Sequence, residues 1–320
     1  MMKPLTPLVT AVALLALCVV IPASAEETVK LQEEAGRVVV TVGDKPFTVY
    51  HFGDAEGRPF VRPYFYPVRA GDGAEVTSDQ VVSGGDHPHH RSLWVSHGDV
   101  NGADHWSFAQ KPEPKQRHVK FTKLEGDTLV QELAWEAKGG GDVLLRETRT
   151  VRFFAFPDGQ RGIDFTLAFT PAGRTHVTFG DTKEAGLCAV RVKKSISDKP
   201  TLTNSRGQSG EKQVWGKPAE WCDLSGRIDG KPYGVAVLDH PKNPRHPATW
   251  HAREYGLLAA NIFGLHDFDK TVKQGAGDFT IEPGKTATFR YRVVVHTGDA
   301  GAAKLDEKFR EYAGEVAAAK

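Results

Sequence analysis

A large antiparallel β-sandwich, all-β apart from a short C-terminal helix, is the fold this sequence predicts. Three observations carry that reading. Most segments alternate apolar and polar residues with period two, the repeat of a strand with one buried face. Short turns rich in Gly, Asp and Pro join them. No strand–helix–strand alternation runs along the chain, which argues against a parallel sheet with crossover helices.

Residues 1–25 stand apart as a signal peptide. Lys3 gives a positive start, residues 8–21 form an apolar run, and Ala23-Ser24-Ala25 is a small-x-small cleavage pattern. Cleavage would leave 320 − 25 = 295 residues, so that 26–320 form a single β-sandwich domain in the periplasm or outside the cell. Residues 37–42, a Gly43-Asp44-Lys45 turn and residues 47–52 read as a hairpin. Residues 60–68 (FVRPYFYPV) are aromatic, with prolines that suit a sheet edge or the rim of a site. A second hairpin is expected from 118–124 and 129–137. Long strands follow at 143–156 and 161–170, and shorter ones around 176–179, 187–192, 233–238, 256–260 and 286–295. Segments 195–215 and 264–278 read as loops. From Ala302 on, Leu305, Phe309, Tyr312 and Val316 share one face of a helix that packs on the sheet.

Without Lys3 the 41 Lys+Arg become 40, against 40 Asp+Glu. That balance argues against nucleic acid or an anionic membrane as partner. No second apolar run of membrane-spanning length follows the leader. Cys188 and Cys222 remain, and geometry decides whether they pair.

The candidate site centres on residues 83–108, SGGDHPHHRSLWVSHGDVNGADHWSF, which hold five of the 13 histidines. Histidine titrates near neutral pH and is also the commonest metal ligand. On an extended backbone His87 and His89 would face one side and His90 the other. Two uses follow. One divalent metal ion would take His87, His89 and His97, with Asp86 or Asp99 as carboxylate. Without metal, His89, His90 or His97 serves as general acid or base, Asp99 orienting His97 and Arg91 lying beside His90. A hydrogen-bonded polar loop with no metal is the plain alternative.

A second cluster carries His240, Asn243, Arg245, His246, Trp250, His251, Arg253, Glu254 and Tyr255 on a proline-stiffened loop. The two clusters are expected to face each other across one pocket. His251 and Glu254 then join the catalytic candidates, and His240, Asn243, His246, Trp250 and Tyr255 bind substrate. Lys183 and Glu184 add a cation and an acid at a strand end, where a solvated charged turn is an equal reading. Trp94, Trp106, Trp221 and Trp250 lie in or beside these motifs. Flat rings combined with Arg91, Asn101 and the histidines suit a sugar, whose C–H faces stack and whose hydroxyls hydrogen-bond.

The motifs RPYFYPV (62–68), DHPHHRSLWVSHGDVNGADHW (86–106) and DHPKNPRHPATWHAREYGLLAANIFG (239–264), with GDTKEAGL (180–187) and WCDLSG (221–226) between them, resemble a secreted bacterial family of unknown function labelled "methane oxygenase PmoA family". The subunit behind that label is a bundle of membrane helices, a pattern this chain does not show after its leader. Members of the family tend to occur in carbohydrate-degrading bacteria, so the resemblance implies a sugar as substrate. The β architecture is also similar to the sandwiches of sugar mutarotases and polysaccharide lyases. The expectation is therefore a carbohydrate-active lyase, epimerase or hydrolase of His-based acid/base type. A copper- or iron-dependent oxidoreductase and a carbohydrate-binding module are the alternatives.

Overall fold

The computed structural model describes residues 27–53 and 60–314; the predicted leader and Val316 lie outside them. In chain order the first strands are β1 (Val29–Glu34), β2 (Arg37–Val42), β3 (Lys45–His51) and β4 (Tyr64–Val68), then helix α1 (Gln80–Ser83) and β5 (Leu93–His97). Four long strands follow: β6 (Gln116–Glu125), β7 (Thr128–Glu136), β8 (Val143–Ala155) and β9 (Arg161–Pro171). The next elements are β10 (Val177–Phe179), β11 (Ala185–Arg191), α2 (Lys194–Ser197), β12 (Thr201–Asn204), α3 (Glu211–Val214), β13 (Trp221–Ile228) and β14 (Lys231–Asp239). The chain ends with β15 (Thr249–Arg253), β16 (Leu257–Asn261), α4 (Leu265–Phe268), β17 (Phe279–Ile281), β18 (Ala287–Thr297) and α5 (Leu305–Gly314).

Two eight-stranded sheets face each other. The first runs β1-β2-β3-β4-β5-β11-β16-β15 and the second β12-β13-β14-β18-β9-β8-β7-β6, with β10-β17 as a small separate pair. Neighbouring strands pair antiparallel, as between β8 and β9 from Leu145↔Pro171 to Ala155↔Arg161. The fold is the all-β sandwich with a short C-terminal helix that the alternation predicts.

The inner faces interlock through one apolar cluster. Phe65 of the first sheet meets Phe153 and Phe165 of the second edge to face, at 6.1 and 5.6 Å. Each such ring, fully buried, contributes about 1.5–3 kcal/mol. On the far side of the second sheet, α5 lays Leu305 and Tyr312 over Trp221, Leu238 and Val294. Among the described residues, no helix is long and apolar enough to cross a membrane.

Both predicted hairpins form, as β2–β3 and β6–β7. Residues 64–68 depart from the expected edge. β4 is interior between β3 and β5, and a register shift between Thr48 and Tyr50 accommodates it. The expected loop 195–215 holds the end of α2, β12 and α3, and 264–278 holds α4. Cys188 and Cys222 are free, buried thiols.

Strand β5 was hidden in the His-rich motif because both of its faces are covered. All five of its residues are buried, as are all of β11 and β16, so these strands lack the wet face that produces alternation. Their outer face is the floor of the site.

Candidate functional site

Cross-strand pairing sets one row of outward side chains: Tyr64, Trp94, Ala189, Ala259 and His251, on β4, β5, β11, β16 and β15. The middle of this row is small. Gly186 completes it, since a Cβ there would come within 2.6 Å of the Ala259 methyl. The floor is thus shallow, with Trp94 and Trp106 as a buried indole wall on one flank, 5.3 Å apart.

The His-rich loop folds over that wall. The His90 amide donates to the His87 carbonyl at 2.8 Å, a turn that brings positions three apart together. All three rings therefore converge, His87 and His89 at 5.6 Å, His89 and His90 at 4.5 Å. The strand reading, with His90 opposite, fails because the backbone turns here. Tyr255, His87, His90 and Trp94 form a column of near-parallel rings, with successive centroids 5.2, 4.8 and 5.4 Å apart. His87 Nδ1 donates to Asp86 at 2.7 Å. His90 Nδ1 accepts from Arg191 at 3.0 Å, while neighbouring Arg91 turns away to Asp79 and the Tyr64 ring.

Across the floor, His251 Nδ1 donates to the Lys183 carbonyl at 2.7 Å. Trp215 stands against its ring, edge to face at 4.9 Å. The Arg253 guanidinium covers Trp215 at 3.9 Å and pairs with Glu211. Glu184, half-exposed and paired with Lys183, lies between the two clusters. Burial pushes its carboxyl up, but the Lys183 hydrogen bond and the nearby His251 and His89 outweigh that and hold it below its ordinary value. Burial, reinforced by Arg62, pulls His89 down to about 4. Burial also takes His251 to about 4 and lowers His90. Burial pushes the Tyr255 phenol up to about 12 despite Arg191. At neutral pH His89, His90 and His251 are neutral, Glu184 is ionised and Tyr255 is protonated.

The two predicted clusters meet in part. His87, His89, His90, Trp94, Trp106, Lys183, Glu184, His251 and Tyr255 assemble; the rest do other work. His97 shares the inward face of β5 with Leu93 and Val95, where Phe179 and Phe263 enclose its ring and Nε2 donates to the Gly180 carbonyl. Asp99 does not orient it and instead accepts from the Gly102 amide. Asn101 clamps β10 through the Thr178 amide and His176 carbonyl. His240 accepts from the Lys242 amide and packs on Tyr312; Asn243 bridges Asp239 and Arg290; His246 donates to Asp239. These polar groups close the 239–246 loop. Glu254 is exposed and accepts from the Glu211 amide. The ligand set His87, His89 and His97 is split across the two faces of β5, and the remaining rings lie against one another. Among the described residues, no group of three or more His, Cys, Asp or Glu is set to hold a metal ion.

Trp250 alternates with His251 and points inward, its Nε1 donating to the Ala219 carbonyl at 3.0 Å. Trp250→Ala is therefore expected to cost about 3–5 kcal/mol of stability by opening a core cavity. Chemical denaturation checks this, and a loss below about 1 kcal/mol would count against the core role.

Arg62, Arg191 and Trp215 belong to the site without having been singled out. Arg62 lies in the RPYFYPV motif and donates to the carbonyls of His105 and His89, fixing the His-rich loop. Arg191 and Trp215 sit alone in apolar or charged surroundings and carry no local signal.

No curated protein matches the chain. Solved structures give distant likenesses. The heparan sulfate lyase of Pedobacter heparinus has a TM-score of 0.41 at 10% identity, covering 84% of this chain and 36% of that one. A GalM/aldose epimerase homologue from C. elegans has a TM-score of 0.35 at 6% identity, over 86% and 100%. A galactose mutarotase related enzyme from Lactobacillus acidophilus has 0.30 at 10%, over 84% and 97%. The chain spans about a third of the length of that lyase and of a second polysaccharide lyase, at 36% and 33%. The sequence model of a family of unknown function (DUF6807) matches residues 37–310, and the chain belongs to that family.

Proposed function

We propose that this is an exported enzyme that acts on a carbohydrate by acid–base chemistry centred on His89. The observation that carries the reading is the convergence of His89, His251, Glu184 and Tyr255 over a floor of Gly186, Ala189 and Ala259. Partly exposed rings of Trp215, Phe108 and Tyr255 stand around it. Ala189 and Ala259 are themselves covered, packed with Trp94 and Trp106 in one apolar cluster. A sugar would therefore meet the partly exposed His89, Glu184 and Tyr255 above them, where the aromatic faces suit its C–H surfaces.

The protonation states suit a division of labour. His89 is neutral at pH 7, so its lone pair can take a proton from a carbon or hydroxyl. Glu184 beside it would stabilise the imidazolium as it forms. Tyr255 holds its proton and can deliver it to a leaving oxygen; no hydrogen bond ties its hydroxyl to another described residue. Environments that push pKa values apart in one site are a common way to fix acid and base roles.

The test is turnover of a panel of oligo- and polysaccharides, with products read by NMR. His89→Gln is expected to lower kcat at least about 100-fold while the melting temperature stays nearly unchanged, because the ring is only half-buried. Full activity in that variant would remove His89 as the base. Sugar binding with no turnover of any panel member would make the protein a binding module.

A further inference from the structure

Four guanidinium groups surround the site, and three are committed. Arg62 is held by two backbone carbonyls, Arg91 by Asp79 and Arg253 by Glu211. Arg191, at the end of β11, differs. It is more than nine-tenths buried, and its hydrogen bond goes to the neutral ring of His90. Its flat face covers Tyr255 at 4.7 Å. Among the described residues, no carboxylate lies within ion-pair distance of it. Asp86 is near enough to favour its charge, but the Asp86 carboxylate is engaged by His87.

A buried cation with no counter-charge is costly, and proteins keep one where a ligand supplies the anion. Arg191 and Tyr255 both line a cavity of about 490 Å³, with Ser78 and Gln80 among its other polar walls. The carboxylates of Asp86 and Asp198 also line it, Asp86 bonded to His87 and Asp198 to Lys194. The His90 bond and the Tyr255 ring fix the guanidinium plane, and a fixed fork suits the oxygens of an anionic group.

We propose that Arg191 receives a monoanionic substituent, a carboxylate or a sulfate ester, on the sugar that enters the His89–Tyr255 site. This rests on the carbohydrate reading above and narrows it from sugars in general to acidic ones. A substituent on Arg191 would place the rest of the ring toward Tyr255, the proposed proton donor. A uronate would have the further property that its carboxylate, neutralised by the guanidinium, acidifies the adjacent C–H.

The test is calorimetric titration of the wild-type protein with glucuronate, galacturonate and glucose 6-sulfate, against glucose and galactose. The acidic sugars are expected to bind about tenfold tighter or more, the gain of a charge-assisted hydrogen bond. That gain is expected to shrink as salt is raised. Arg191→Gln should abolish the preference, so that acidic and neutral sugars bind that variant equally. Preference for the uronates over the sulfate, or the reverse, decides which anion is read. Equal affinity for acidic and neutral sugars would overturn the Arg191 assignment and leave the carbohydrate reading standing. A preference that survives in Arg191→Gln would overturn it as well. Binding of neither class would overturn both. Should Arg191→Gln fail to fold, Arg191→Met takes its place, and a preference for the acidic sugars that survives there would overturn the assignment.

Discussion

Glu147→Ala is expected to destabilise the protein by about 3–5 kcal/mol, the usual cost of stripping one partner from a buried ion pair. Glu147 and Arg149 point inward from β8, both shielded from water, and form a two-pronged pair at 2.6 and 3.0 Å. Trp135 Nε1 donates to the same carboxylate at 2.7 Å. The guanidinium also reaches across the sandwich to the Tyr50 hydroxyl of β3 at 3.2 Å. Burial pushes the Tyr50 phenol up to about 12, so it stays protonated and donates onward to Gln131. Gln116 closes the bridge through the Val95 carbonyl of β5 at 3.1 Å. Removing Glu147 leaves the Arg149 charge in the core and orphans the Trp135 donor. Equilibrium denaturation measures the loss. Glu147→Ala combined with Arg149→Met should be less destabilised than Glu147→Ala alone, because no buried charge remains. A single-mutant loss below about 1 kcal/mol, within the range of an ordinary surface pair, would mean that water or a shifted side chain replaces the partner.

That network also shows where sequence reading reaches its limit. Strands β6 to β9 were legible because one face stays wet and the alternation survives. Glu147 and Arg149 nonetheless occupy inward positions of β8, where period-two logic expects apolar residues. Charge at such a position looks like a surface residue until the register is known. The site repeats the lesson. The density of His, Trp and Asp in residues 83–108 marks the loop that folds over the Trp94–Trp106 wall, but density does not assign faces. His97 and Trp94 are three apart on β5 and project to opposite sides, one into the core and one into the site wall. Trp250 and His251 are adjacent and divide the same way. The proline-stiffened stretch 239–246 looked functional because it is polar and constrained; those polar groups are used to satisfy the backbone of a loop packed against α5. Arg191 and Trp215 reach the site through β-sheet pairing and tertiary contacts, which no local spacing encodes.

His97 and His105 should make the protein acid-labile well above the carboxylate range. Both rings are fully buried, and burial draws each down to about 3. Each donates from Nε2 to a carbonyl, Gly180 for His97 and Glu136 for His105, both at 3.0 Å. In neither does Nδ1 have a partner among the described residues. In the unfolded chain the same rings take protons near 6.5. Between these values the unfolded state holds more protons, so stability is full above about pH 6.5, falls with falling pH, and levels off near 3. At pH 4.5 each ring would cost about 2–3 kcal/mol. The two together rival the whole stability of a typical domain, about 5–15 kcal/mol. His89 and His251, drawn down to about 4, act in the same direction. The carboxylates titrate mostly below pH 5, so the slope of stability against pH between 6.5 and 5 isolates the imidazoles. His97→Gln keeps a donor for the Gly180 carbonyl but cannot be protonated. The proton uptake on unfolding, read from that slope, should therefore fall by about one per molecule, whatever the variant loses at neutral pH. An unchanged slope would mean that His97 charges in the native state and that its core position is wetter than its burial implies.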